Sequence, residues 1–124
     1  MRNNTRYYTY ILHILPILLL MVWTGTASYY SEAGCLGCSP TLTMANGQRL
    51  DDTKLTLAMT PYTVRAYKLL NKKVTVRNRK TGASVVATVT DTGGFSRYSR
   101  IADLSVATKL AIGCGDLCKV EISL

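Results

Sequence analysis

The chain has 124 residues, with 15 Lys and Arg against seven Asp and Glu, four Cys and one His. That length holds about one domain, which excludes an enzyme with separate cofactor and substrate modules. Hydrophobic residues at 48% with 18% charged exclude general disorder, although much of the apolar content lies in the first 30 residues.

Arg2 and Arg6 precede an apolar run from Tyr10 to Trp23, which ends in Thr24-Gly25-Thr26-Ala27. A basic head, an apolar middle and a small-residue end form the pattern of a secretory signal, with Gly25 and Ala27 at the small positions before a cut. The alternative is an uncleaved anchor from Tyr7 to Trp23, short of the ~20 residues that a spanning helix needs. Residues 1–27 are therefore expected to be a signal peptide or membrane anchor, and 28–124 the folded domain. A cut after Ala27 removes Arg2 and Arg6, so 15 basic residues become 13 against seven acids, a net +6. A basic exported domain prefers anionic partners such as wall polymer. The same cut removes His13, the only histidine. Ser-His-Asp and Cys-His catalysis and His-containing zinc sites are then excluded. No basic helix or aromatic-spaced RNA motif is present, so nucleic acid is not an expected partner.

Ser28-Tyr29-Tyr30-Ser31 reads as a first strand, and the Gly, Ser, Pro and Thr that follow read as loop to Gly47. Leu55 to Ala58 is a short strand. Thr60-Pro61 starts a helix with Val64, Tyr67 and Leu70 on one face. Val74 to Asn78 alternates apolar and polar, Thr81-Gly82 is a turn, and Ser84 to Thr90 is a strand that completes a hairpin. Ser105 caps a helix from Val106 to Ile112, and Gly113 ends it. Val120 to Leu124 is the last strand. Short strands with one or two short helices indicate a small, mainly β barrel.

Cys35-Leu-Gly-Cys38 and Cys114-Gly-Asp-Leu-Cys118 are two close pairs far apart in sequence. They fit either a four-thiolate zinc site or two disulfides, and an oxidising compartment favours disulfides. Four cysteines allow three connectivities, which spacing does not separate.

Three motifs occur in order: Ala45-Asn46-Gly47-Gln48, Asp91-Thr92-Gly93-Gly94-Phe95 and Arg100-Ile101-Ala102-Asp103-Leu104-Ser105. With the opening Ala27-Ser28-Tyr29-Tyr30, they resemble the double-psi β-barrel domain of the rare lipoprotein A (RlpA-like) proteins, over nearly all of residues 27–124. The resemblance implies a six-stranded double-psi β-barrel with one or two short helices, behind the N-terminal signal or anchor segment. It also implies an exported protein of the cell envelope that acts on peptidoglycan as a lytic transglycosylase. Expansins share this barrel and loosen walls without hydrolysis, which gives the alternative of a non-catalytic wall-binding module. No cofactor or metal is expected, and the chain is expected to be a monomer.

The resemblance makes Asp91 the leading acid/base, with Asp103 in support. Tyr29, Tyr30 and Tyr98 are candidates to stack on sugar rings, and Arg100 to bind a carboxyl group. Asn46 and Gln48 complete the expected substrate-binding set. Gln48 stands where the family has Glu, Met59 where it has His, and Asp-Thr-Gly-Gly-Phe where it has Asp-Arg-Gly-Pro-Phe.

Overall fold

The computed structural model describes residues 21–35, 38–94 and 99–124. The apolar run up to Leu20 lies outside the described residues, as does Tyr98. Six strands and two short helices follow in the order β1 (Val22–Tyr29), β2 (Thr56–Met59), α1 (Pro61–Ala66), β3 (Lys73–Asn78), β4 (Ser84–Thr92), β5 (Arg100–Leu104), α2 (Val106–Ala111) and β6 (Cys118–Ser123).

The strands close into a barrel in the order β1-β5-β2-β4-β3-β6. The β1–β5 and β2–β4 pairs are parallel, and the other four pairs are antiparallel. Exchanging the first three strands with the last three reproduces the ring and the sense of every pair, so the barrel is built from two interlocked halves. Ala27, Leu57, Val76, Val89, Ala102, Leu104, Val120 and Ile122 fill its interior, each at most 1% exposed. A second, smaller cluster of Tyr30, Met44, Leu50 and Ala58 holds the long 30–55 connection against the outer wall. Glu32 fastens this connection through an ion pair with Arg49, 2.8 Å long, and through the Asp52 backbone N–H.

The helix signals are found where the residues place them. Thr60 caps α1 ahead of Pro61, and Ser105 caps α2. Gly113 follows α2 with φ +67°, a conformation that glycine adopts without cost. α1 ends at Ala66, however, so Tyr67 is its cap and Leu70 lies beyond it.

The first strand differs most from the sequence expectation. It is Val22–Tyr29, not Ser28–Ser31, and Val22 to Ala27 pair residue for residue with Ser123 to Cys118 of β6. The boundary expected between 27 and 28 thus falls inside a barrel strand. An apolar run that ends in small residues has the composition of a signal and its cleavage region. Here its last part also has the barrel as partner. The strand that the chain-order reading lacks, β5, is the Arg100–Leu104 motif itself.

The cysteines pair locally, Cys35 with Cys38 and Cys114 with Cys118. Neither bridge ties the start of the domain to its end; the β1–β6 ladder does that.

Candidate functional site

Asp91 and Asp103 reach one surface by different routes. In β5, Ala102 and Leu104 point inward, so Asp103 between them points outward. In β4, Val89 points inward, and regular alternation would send Asp91 inward too. The register instead runs Leu57↔Val89 and then Ala58↔Asp91, so Thr90 is one extra residue in the strand. A bulge of this kind re-aims the side chain that follows it. Asp91 is thereby turned to the outer wall, while Thr90 Oγ1 donates to Met44 Sδ beneath the long connection.

The pairings Ser28↔Asp103, Asp103↔Ala58 and Ala58↔Asp91 then form one row across β1, β5, β2 and β4. The two aspartate Cα positions are two strand spacings apart, roughly 10 Å. Ala58 fills the place between them with a methyl group and leaves it open. All four residues line a groove of about 910 Å³ between the barrel wall and the long connection. Arg100 and Tyr29 also line it, and the Cys35–Cys38 bridge forms part of its lip.

The two carboxylates have different surroundings. Asp91 Oδ1 accepts from the backbone N–H groups of Ala45 and Thr92, both at 2.9 Å. Among the described residues no donor reaches Oδ2. Asp103 is half-buried, and burial pushes its carboxyl above the usual carboxylate range. The Ser28 hydroxyl, which donates to Oδ1 at 2.9 Å, and the Arg100 charge pull the other way, while the Asp91 charge adds to the rise.

The remaining sequence candidates separate. Tyr29 stands at the groove end, 38% exposed, with Lys109 Nζ 4.0 Å above its ring. Tyr30 lines the groove as part of its floor but is only 4% exposed, packed with Met44, Leu50 and Ala58. Burial pushes its phenol up to about 12. The Thr56 and Thr90 hydroxyls beside it oppose that rise, yet Tyr30 Oη and Thr56 Oγ1 both lack a hydrogen-bond partner among the described residues. Asn46 and Gln48 do not line the groove. Asn46 Nδ2 donates to Gln48 Oε1 and to Asn71 Oδ1, and its Oδ1 accepts from the Gln48 N–H, so the pair shapes a turn beside it. Met59 is buried in the barrel interior, at 1% exposure.

Ser28 and Ala58 belong to the site and were not sequence candidates. The alternation Ala27-Ser28-Tyr29 is a signal for Ser28 once β1 is known to be a strand. Nothing in the composition marks Ala58, whose role is to be small. Among the described residues no group of three or more His, Cys, Asp or Glu is placed to hold a metal ion.

No protein-family profile and no curated protein matches the chain. Solved structures do. An expansin from Clavibacter michiganensis superposes with a TM-score of 0.60 at 19% identity, over 82% of this chain and 49% of that one. A mutant of that expansin in complex with cellohexaose gives 0.58 at 18% identity, with the same coverage. This chain spans about half the length of the expansin. A Streptomyces papain inhibitor gives 0.60 at 16% identity, over 85% of this chain and 94% of that one. A rationally designed double-psi β-barrel, mkDPBB_sym2, gives 0.50 at 14% identity over 82% and 96%. The two parallel pairs, the ring order and these likenesses together identify the fold of this chain as a double-psi β-barrel, the fold it shares with the expansin.

Proposed function

We propose that the groove binds a strand of cell-wall polysaccharide, laid along the row Ser28, Asp103, Ala58 and Asp91. The row carries this reading: two outward carboxylates flank a gap lined by Ala58, in an open groove of the size that sugar ligands occupy. Tyr29 offers a ring at one end, and Arg100 a cation in the wall. The expansin structure with cellohexaose supports a sugar polymer as ligand. The motif resemblance supports peptidoglycan as that polymer.

A second reading, lytic transglycosylase action, is favoured by the raised Asp103 carboxyl. A general acid has to hold its proton closer to the working pH than a free carboxyl does, and burial shifts Asp103 in that direction. Protonated Asp103 gives its proton to the glycosidic oxygen as the bond to C1 breaks. The C6 hydroxyl of the same sugar bonds to C1 and closes the anhydro ring, and its proton returns to the Asp103 carboxylate. No water is consumed, and one carboxyl completes the cycle, whereas hydrolysis takes two. Asp91, whose Oδ1 is held by two N–H groups, faces the positive charge that develops at C1. The leading acid/base is therefore Asp103, and Asp91 supports it.

Incubation of the full chain with peptidoglycan, with and without stem peptides, separates the readings. Mass spectrometry of the soluble fraction should find anhydro-muramic ends that vanish with Asp103→Asn. Turnover should fall as pH rises through the Asp103 pKa, and Ser28→Ala should move that limb to higher pH by removing a bond to the ionised form. Pelleting with the polymer but no release means binding without chemistry. No pelleting that Asp91→Asn or Tyr29→Ala weakens would overturn the glycan reading.

A further inference from the structure

The two ends of the barrel carry different surfaces. β1, β3 and β5 start at one end, where β2, β4 and β6 finish. This lower end holds Met21, Leu124 and the α1 segment, and Leu124 N–H donates to Met21 O at 3.3 Å. The chain has no Asp or Glu from Thr53 to Thr90, a stretch with eight Lys and Arg. Four of these, Arg65, Lys68, Lys72 and Lys73, are exposed around the lower end. Among the described residues none of the four has an ion-pair partner. Tyr62 and Leu124 are 80% and 57% exposed there, and Tyr67 meets Trp23 edge-on at 5.2 Å. A recess of about 380 Å³ opens between Pro61, Arg65, Lys68 and Thr92.

Met21, which directly follows the apolar sequence, stands at this same end. Gly25 and Ala27, the small residues that resemble a cleavage region, have another cause in the fold. A Cβ on Gly25 would lie 2.8 Å from Ile101 Cγ2, and Ala27 is 1% exposed inside the barrel. A cut after Ala27 would remove six of the eight residues of β1 and every one of its pairings with β6.

We infer that the chain keeps Val22–Ala27 and that the lower end of the barrel docks on an anionic lipid bilayer. Basic residues and interfacial aromatic rings around the exit of an apolar segment match a membrane surface in both charge and polarity. Docking there points the 79–83 hairpin away from the lipid and leaves the Ser28 and Tyr29 end of the groove open to a polymer, with Thr92 and Arg100 at its lipid-side end.

The test uses the full chain. Produced in an exporting host, its N-terminus is read by intact mass. A start at or before Val22 is expected, and a start at Ser28 overturns the inference. The chain is then reconstituted with phosphatidylcholine vesicles, with and without phosphatidylglycerol, and exposed to an amine-acetylating reagent. Lys68, Lys72 and Lys73 should be protected only with the anionic lipid, while Lys80 and Lys119 at the other end stay reactive. Replacing the four residues (Arg65→Gln, Lys68→Gln, Lys72→Gln and Lys73→Gln) should lower the preference for anionic over neutral vesicles by on the order of a thousandfold at low salt. Equal reactivity at both ends, or an unchanged preference in a folded variant, overturns it. So does a variant that loses only its pelleting with wall polymer.

Discussion

Tyr30 places a phenol hydroxyl at the groove floor with no hydrogen-bond partner among the described residues, next to the Thr56 hydroxyl, which likewise has none among them. A buried polar group without a hydrogen bond costs about 1–3 kcal/mol, so removing the oxygen recovers part of that loss. Tyr30→Phe should therefore stabilise the barrel by about 1 kcal/mol at pH 7, as measured by urea unfolding. The pH dependence has a definite sign. The folded phenol titrates at about 12 against an ordinary 10, so the folded state holds its proton more tightly. Its contribution is intact below pH 10 and is lost as pH rises from 10 toward 12. The advantage of Tyr30→Phe over the parent should widen across that window, and a constant difference would show that the phenol does not titrate as a buried group. Asp103 follows the same sense at lower pH: burial raises its carboxyl, so ionising it in the folded state costs stability. A half-buried carboxyl retained at such a cost beside an open groove is what a proton donor requires.

Element by element, what could be read from sequence was what depended on neighbours in the chain. Val74 to Asn78 and Ser84 to Thr90 alternate, and Thr60, Ser105 and Gly113 punctuate the helices, because caps and pleats are local physics. β1 was hidden because Val22 and Trp23 continue an apolar run whose end has the composition of a signal. β5 was legible as a motif and not as a strand, since five residues with Arg and Asp among them carry little periodicity. The Thr90 bulge, which turns Asp91 outward, exists only relative to β2 and leaves no trace in composition. Gly25 gives the sharpest test of β1 as a structural element. With a methyl there, Ile101 Cγ2 must move from 2.8 Å, and Ile101 packs against the barrel core. Gly25→Ala should destabilise the full chain by about 1–3 kcal/mol. The double change with Ile101→Val, which leaves Cγ2 in place, should recover less than Gly25→Ala with Ile101→Ala, which removes it. If residues 22–27 were not part of the fold, all three variants would unfold as their Ile101 change alone predicts.

At the scale of the whole molecule, the question is what joins the two ends of the chain. Disulfides crossing between the two cysteine pairs would close loops of nearly the full domain, for which the chain-entropy model gives about 4.7 kcal/mol each. The observed bridges close loops with sequence separations of three and four, for which the same model gives about 2 kcal/mol each. The ends are joined instead by six residue pairs between β1 and β6, with Val120 and Ile122 fully buried behind them. Barrel closure and the sulfur chemistry are thus separate sources of stability. Reduction should lower the unfolding free energy by no more than about 4 kcal/mol and leave the far-ultraviolet circular dichroism of the barrel in place at low temperature. The Cys35–Cys38 bridge lines the groove, so its reduction should weaken polymer binding more than reduction of Cys114–Cys118 does. Replacing each pair by Ser in turn and measuring pelleting with wall polymer alongside thermal unfolding separates the two effects. A domain that unfolds outright on loss of either bridge would mean that the β1–β6 ladder cannot hold the barrel closed, and that the sulfur bridges carry the closure that the strand pairing assigns to hydrogen bonds and buried apolar area.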